Sequence, residues 1–428
     1  MVRFWRMLPV VLVMVAVYAW AAHDDTIDYP YIPFDHEAIQ YPTRAPDDAI
    51  TRLQQKIDSG EVKLDFDAKL GYLPSLLKHL GINIDSQMLV FSKTSFQGPK
   101  ISPKKPRAVY FNDNAAVGFV PEGDLMELIG LDPKQGVVFY TLDREKTDKP
   151  SFVRRTDECI SCHLIPTTLN IPGLLTTSVI PGPDGSPRFA AAAVIVDSRT
   201  PFEERWGGWY VTGTTGEIPT RANAVAPNPD QPDALDLRGT QNLTSLPSRV
   251  DASSYPASTS DLVALMTLEH QTRMTNLLIR LAWETRIAAK DGKLPEFKDR
   301  LDFLTTEVAA YMLFAEEAQM SQPMAGVSTF TKTFPERGPR DKQGRSLRDF
   351  DLKTRLFRYP LSYMIYDPSF DALPDVAKEQ LYRKLYDVLS GKTSGEKWAR
   401  LSAQDRRAIL EIARDTKPDL PSYWRTAQ

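Results

Sequence analysis

The stretch Lys149–Leu174, KPSFVRRTDECISCHLIPTTLNIPGL, parts the chain into two unlike halves and holds both of its cysteines. Cys159-Ile160-Ser161-Cys162-His163 has the form C-x-x-C-H, the attachment signature of c-type haem. Two thiols at that spacing add across the two vinyl groups of one porphyrin, and the adjoining histidine is held beneath the iron as its proximal ligand. With 2 Cys and 5 His in 428 residues, shuffling produces this arrangement with a probability on the order of 10⁻⁴. Three other chemistries use such thiols. A disulfide between Cys159 and Cys162 suits an oxidising compartment. A thioredoxin-like dithiol normally caps a long helix, which LIPTTLNIPG (164–173) does not open. Zinc needs two more ligands from scattered histidines or carboxylates. The expectation is one covalently attached haem c, held by Cys159, Cys162 and His163, with His163 on the iron. A single motif excludes a multihaem wire.

Ahead of the motif, residues 23–45 are punctuated by proline and read as an extended arm. Pro46–Gly60 and Leu73–Leu80 read as short helices. Met88–Lys93, Ala108–Asn112, Ala116–Pro121 and Gly136–Leu142 read as strands. Behind the motif, Leu174–Ile180 and Phe189–Val196 read as a hairpin joined through Pro183-Asp184-Gly185, and Trp206–Thr212 as a further strand. Residues 213–259 have no periodicity, and a loop of that length is functional or wraps something. Helices are expected from Ser260 to about Lys290, from Pro295 to about Met320, and near Arg355–Tyr366, Asp375–Ser390 and Ser402–Thr416. The fold class is α+β: a β-rich N-terminal half, the haem motif at the junction and a mostly α-helical C-terminal half. The regions expected are a signal peptide or anchor over 1–22, an α/β region over 23–148, and a haem-bearing region over 149–428.

At 42% hydrophobic and 25% charged, the composition is that of a globular protein. Lys+Arg 52 against Asp+Glu 55 leaves a net charge of −3 and no basic footprint for nucleic acid. Arg3 and Arg6, the apolar run Leu8–Ala19 and the small-x-small triplet Ala19-Trp20-Ala21 form an export signal. The apolar run is shorter than the roughly 20 residues that span a bilayer. The working part is therefore expected in the periplasm, touching a membrane only through an uncleaved N-terminal segment.

Histidine is scarce, so the candidates for the other axial position are few. His270 lies on the helical stripe Leu262, Met266, His270, Met274, Leu281, and is the preferred second iron ligand; Met266 or Met274 would instead give His/Met ligation. The bland alternative is a core histidine among gap-filling methionines. His36 in the arm and Met324 in its loop are further candidates. His79, at a helix end, suits the dipole, and His23 is solvated. An empty sixth position would make a carrier into a reactive site. Arg154 and Arg155 are candidates for pairing with haem propionates, against plain surface charge. Trp206, Trp209 and Tyr210 line the haem or, on the better reading, form aromatic core.

The strings SQMLVFSKTSFQ (86–97), PRAVYFNDNAAVGFVPEGD (106–124), TPFEERWGGWYVTG (200–213), LEHQTRMTNLLIRLAWETR (268–286) and RYPLSYMIYDPSFDALP (358–374) resemble a family of large exported bacterial monohaem c-type cytochromes. That resemblance implies haem c and export and names no substrate. The function expected is electron transfer outside the cytoplasm, with an unidentified redox protein as partner. The alternatives are a haem-dependent oxidoreductase with an open sixth site, peroxidase-like or acting on a small substrate, and a module in which haem is a structural staple. No acid–base constellation lifts the enzyme reading.

Overall fold

The computed structural model describes residues 28–188, 193–228, 230–231 and 234–425. The export segment, His23 and part of the expected hairpin therefore lie outside the described residues. In chain order the strands are β1 (Met88–Val90), β2 (Arg107–Phe111), β3 (Ala115–Phe119), β4 (Leu125–Asp132), β5 (Gly136–Asp143), β6 (Val153–Arg154), β7 (Thr177–Ser178), β8 (Val194–Ile195) and β9 (Trp209–Tyr210). Seven of them form one antiparallel sheet in the order β6-β5-β4-β3-β2-β1-β9, and β7 pairs with β8 as a separate ribbon.

Side chains alternate between the two faces of this sheet. One face carries Tyr110, Val117, Phe119, Met126, Leu128, Val138 and Leu142, packed on α1 (Ala49–Asp58) and α2 (Leu73–Leu80). Asp48 caps α1 by accepting from the N–H groups of Ile50 and Thr51, and Gly81 ends α2 in the left-handed conformation. The opposite face carries Val109, Phe111, Ala116, Ile129, Leu131, Val137 and Phe139 and belongs to the main core.

A one-turn helix, α3 (Ile160–His163), holds the motif, and α4 (Leu262–Lys290) is the spine of the molecule. Asp261 caps α4, while the neighbouring Ser260, from which the helix was expected to start, joins β1 to β9: its hydroxyl donates to the Tyr210 carbonyl and accepts from the Leu89 N–H. The helical layer continues with α5 (Lys298–Met312), α6 (Phe330–Glu336), α7 (Pro368–Asp371), α8 (Asp375–Leu389), α9 (Ala403–Thr416) and α10 (Ser422–Arg425). The fold is α+β as expected, with the sheet in the N-terminal half and helices dominating from residue 262 onward. Among the described residues no helix is long and apolar enough to cross a membrane.

β6 and β9 come from beyond residue 149 and pair with β5 and β1, and one apolar core runs from Tyr29 to Trp424. Arg355–Tyr366 is not an α-helix: Pro360 disfavours helical backbone at the residue before it, and only Tyr363–Tyr366 makes a 3₁₀ turn.

A candidate haem-attachment site

The edge strand β6 delivers the motif onto the core face of the sheet. Arg155 N–H donates to the Phe139 carbonyl, and its Nε donates to the Thr141 hydroxyl at 2.9 Å, so the chain leaves β6 directly above β5. One helical turn follows, with Cys159 at its start and Cys162 and His163 within it. Both cysteines are free thiols of intermediate exposure. The His163 ring lies against Phe139, centroids 4.7 Å apart.

The closest constraint is on His163 itself. Its Nδ1 is 2.8 Å from the Gly173 carbonyl oxygen, an atom that can only accept, so Nδ1 carries the proton. Burial holds the ring's pKa below the usual histidine range, so it is neutral and Nε2 keeps its lone pair. A neutral imidazole oriented through Nδ1–H to a backbone carbonyl is the form in which histidine binds a metal.

Gly173 is held in turn. Its N–H and the Thr168 hydroxyl both donate to the His163 carbonyl. Asn276 of α4 grips the next residue, its Oδ1 accepting from Leu174 N–H at 2.9 Å and its Nδ2 donating to the Leu174 carbonyl at 2.7 Å. A Cβ on residue 173 would lie 2.7 Å from Asn276 Oδ1, so only glycine fits this approach. Arg280 donates to the Leu169 carbonyl and Asn170 to the Tyr29 carbonyl, which ties the whole 164–174 loop to α4 and to the arm.

The ground beneath the motif is apolar and only half-covered. On the core face of the sheet, Phe111, Val137 and Phe139 are buried, whereas Val109, Ala116, Ile129 and Leu131 are half-buried, as are Cys159, Ile160 and Leu174 around the motif. Partly exposed aliphatic groups at the middle of a seven-stranded sheet are surface that an apolar ligand can cover. Arg107 and Glu127 on this face are paired at 2.6 Å, and Arg155, on Thr141 and Glu158, and Asp143 at the end of β5 carry further charge there. Burial, then Glu127 and Glu158, push the Cys159 thiol up to about 12. A thiol–disulfide exchange centre needs the opposite shift. A porphyrin fits this donor set: two flanking thiols, one oriented imidazole with a free nitrogen, and an aliphatic bed.

The other expected residues lie elsewhere. His270 is fully buried, with Nε2 2.8 Å from Ser362 Oγ and its ring stacked on Tyr311 and Phe314 at 5.2 and 4.4 Å. Burial holds it neutral, its pKa lowered to about 3. Residues of an α-helix turn by about 100° each, which sets His270 about 120° around α4 from Asn276 and nearly opposite Ile279. Ile279 meets the sheet at Gly136. His270 thus faces the helical layer, and the structure does not bring it together with His163. Met266 and Met274 are core residues. His36 pairs with Asp291 beyond the end of α4, its Nε2 at 3.3 Å, and His79 is exposed. Met324 is buried with its N–H on the Leu352 carbonyl.

Arg154 donates to the carbonyls of Tyr41 and Arg44 and to Gln135, fastening the arm, and Arg155 is shared between Thr141 and Glu158. Trp206, Trp209 and Tyr210 are core, with donors on Glu269, Thr177 and Pro103 respectively. Gly173 and Asn276 were not among the expected residues. A glycine ten residues past the histidine, and an asparagine inside an apolar helix, were the available signals. Among the described residues no group of three or more His, Cys, Asp and Glu gathers to hold a metal ion. Comparison with known proteins returns no family model, no curated protein and no solved structure that matches this chain.

Proposed function

We propose that this chain is an exported monohaem c-type cytochrome that carries electrons outside the cytoplasm. The observation that carries the reading is the His163 Nδ1–H to Gly173 carbonyl bond at 2.8 Å, which leaves Nε2 free beside two thiols one turn apart. The raised thiol pKa of Cys159 speaks against an exchange dithiol, and the aliphatic bed speaks for a porphyrin. When bound, haem supplies a one-electron couple. The chain's part is to fix it through Cys159 and Cys162, to orient one imidazole, and to exclude water with Val109, Ala116, Ile129 and Leu131. The resemblance of five strings along the chain to exported monohaem cytochromes agrees with this.

The placement of His270, His36 and His79 away from His163 favours one second reading, a haem-dependent oxidoreductase with an open sixth position. Mature protein purified after export is expected to carry the added mass of one haem and to keep its colour through acid–acetone extraction. Loss of colour there defeats the reading. Reaction of the reduced protein with carbon monoxide separates the two functions: slow or absent binding belongs to the carrier, rapid binding to the enzyme.

A further inference from the structure

A salt bridge across the haem seat is out of keeping with its surroundings. Val109, Gly118, Glu127 and Thr141 stand directly opposite one another on β2, β3, β4 and β5, on the half-exposed face beneath the motif. Arg107, two residues along β2 from Val109, reaches diagonally across this row to Glu127, Nη2 to Oε2 2.6 Å. It can do so because residue 118 is glycine: a Cβ there would lie 2.8 Å from Arg107 Nη2 and 2.9 Å from its Nε. Glu127 is held from its other side by Gln97 Nε2 at 3.1 Å, and Arg107 Nε is buried without a hydrogen-bond partner. The two side chains are only 22% and 19% exposed.

An ion pair set in an aliphatic surface is a poor stabiliser, since desolvation offsets the attraction. Its placement makes more sense as an electrostatic device. Both charges stand beside the motif: Glu127 lies opposite Thr141, whose hydroxyl accepts from Arg155 Nε on the approach to the motif, and Phe139, two residues along β5 on the same face, lies against the His163 ring.

Resting on the haem reading above, we propose that Arg107 and Glu127 are opposed positioning charges that set the reduction potential of haem held at Cys159, Cys162 and His163. A fixed cation there favours the ferrous form, which carries one positive charge fewer, and a fixed anion favours the ferric form. One electron enters from a one-electron donor and leaves to a one-electron acceptor; no bond is made or broken.

The test is an optical redox titration of the exported holoprotein and its variants with dithionite and ferricyanide. R107Q is expected to shift the ferric/ferrous equilibrium about tenfold toward ferric, which for one electron is about 59 mV downward. E127Q is expected to shift it about tenfold the other way, and the R107Q/E127Q double variant to return near the wild-type value. R107K, which keeps the charge, should hold the potential. A pair that only braces the sheet would move unfolding midpoints and leave potentials alone. Potentials unmoved, or moved in the same direction by both single variants, in protein that retains its haem overturn the inference while sparing the haem reading. A wild-type chain that carries no haem overturns both. Should R107Q not fold, E127Q decides by the sign of its shift.

Discussion

Asn276→Ala tests the clamp on which the orientation of His163 depends. Asn276 is 1% exposed, and its amide is devoted to Leu174, accepting from the N–H at 2.9 Å and donating to the carbonyl at 2.7 Å. Each bond is worth about 0.5–1.5 kcal/mol net, and a buried backbone group left unpaired costs about 1–3 kcal/mol. Leu174 is half-buried, so water reaches part of the gap. The expected loss is therefore about 2–4 kcal/mol, read as a lower urea midpoint with an unchanged slope. Asn276→Asp keeps the acceptor but sets a buried carboxylate oxygen against the Leu174 carbonyl, and should cost at least as much as the alanine change. In haem-bearing protein a second effect follows. Slackening Gly173 weakens its bond to His163 Nδ1–H, makes the imidazole a poorer donor and raises the reduction potential. A stability change below about 0.5 kcal/mol, inside the usual range for an inconsequential substitution, refutes the clamp. A full loss of stability with no change in potential refutes its link to His163.

His270→Ala removes a ring stacked between Tyr311 and Phe314 and is expected to cost about 2–4 kcal/mol, as other large-to-small core changes do. In haem-bearing protein the spin state should not change, because the ring faces the helical layer; conversion from low to high spin would place His270 on the iron after all. Glu317 is buried and its pKa is raised to about 7, chiefly by desolvation and against the Leu356 N–H and nearby arginines. Its folded-state pKa lies above the unfolded value, so the wild type loses stability as pH rises from about 4.5 to about 7 and regains none above. Glu317→Gln escapes this, and its advantage should grow by about 3 kcal/mol over that interval. Urea midpoints that run parallel from pH 4.5 to 8 in the two proteins contradict it.

The C-x-x-C-H motif was legible because its chemistry is local: five consecutive residues hold both thiols and the histidine proposed to bind iron. The seat beneath it was not. β4 escapes a reading by alternation because both of its faces carry apolar groups, Met126 and Leu128 on one and Ile129 and Leu131 on the other, with Gly130 and Glu127 interrupting the pattern. That strand supplies half of the aliphatic bed and the Glu127 carboxylate. The α6 helix is equally hidden, since Pro335 lies inside it. The stripe Leu262, Met266, His270, Met274, Leu281 is a true face of α4, buried as its spacing predicts. Periodicity tells which residues share a face but not what that face meets, and here it meets Tyr311 and Phe314.

The length of the chain follows from burying α4 on every side. A helix of 29 residues is about 43 Å long. One whose polar side chains are also buried needs cladding all round. Here the sheet supplies one flank and α5, α6 and α8 the others, while its buried charges are matched by Arg205 on Glu269 and by Arg300 on Glu284, which also holds Arg280. The motif is referred to this spine through Asn276 and Arg280, so the loop that orients His163 is fixed to the most deeply buried element of the protein. The long 213–259 segment, expected to be functional or to wrap something, is tied to the sheet and core: Asn223 Nδ2 donates to the carbonyls of Val211 and Thr240, and Tyr255 to that of Pro106. A ligand cage that barely moves between oxidation states suits electron transfer, whereas turnover of a bound substrate calls for an element free to open. The cladding thus weighs toward the carrier, and carbon monoxide binding that proves rapid would mean that the rigidity lies on the His163 side alone.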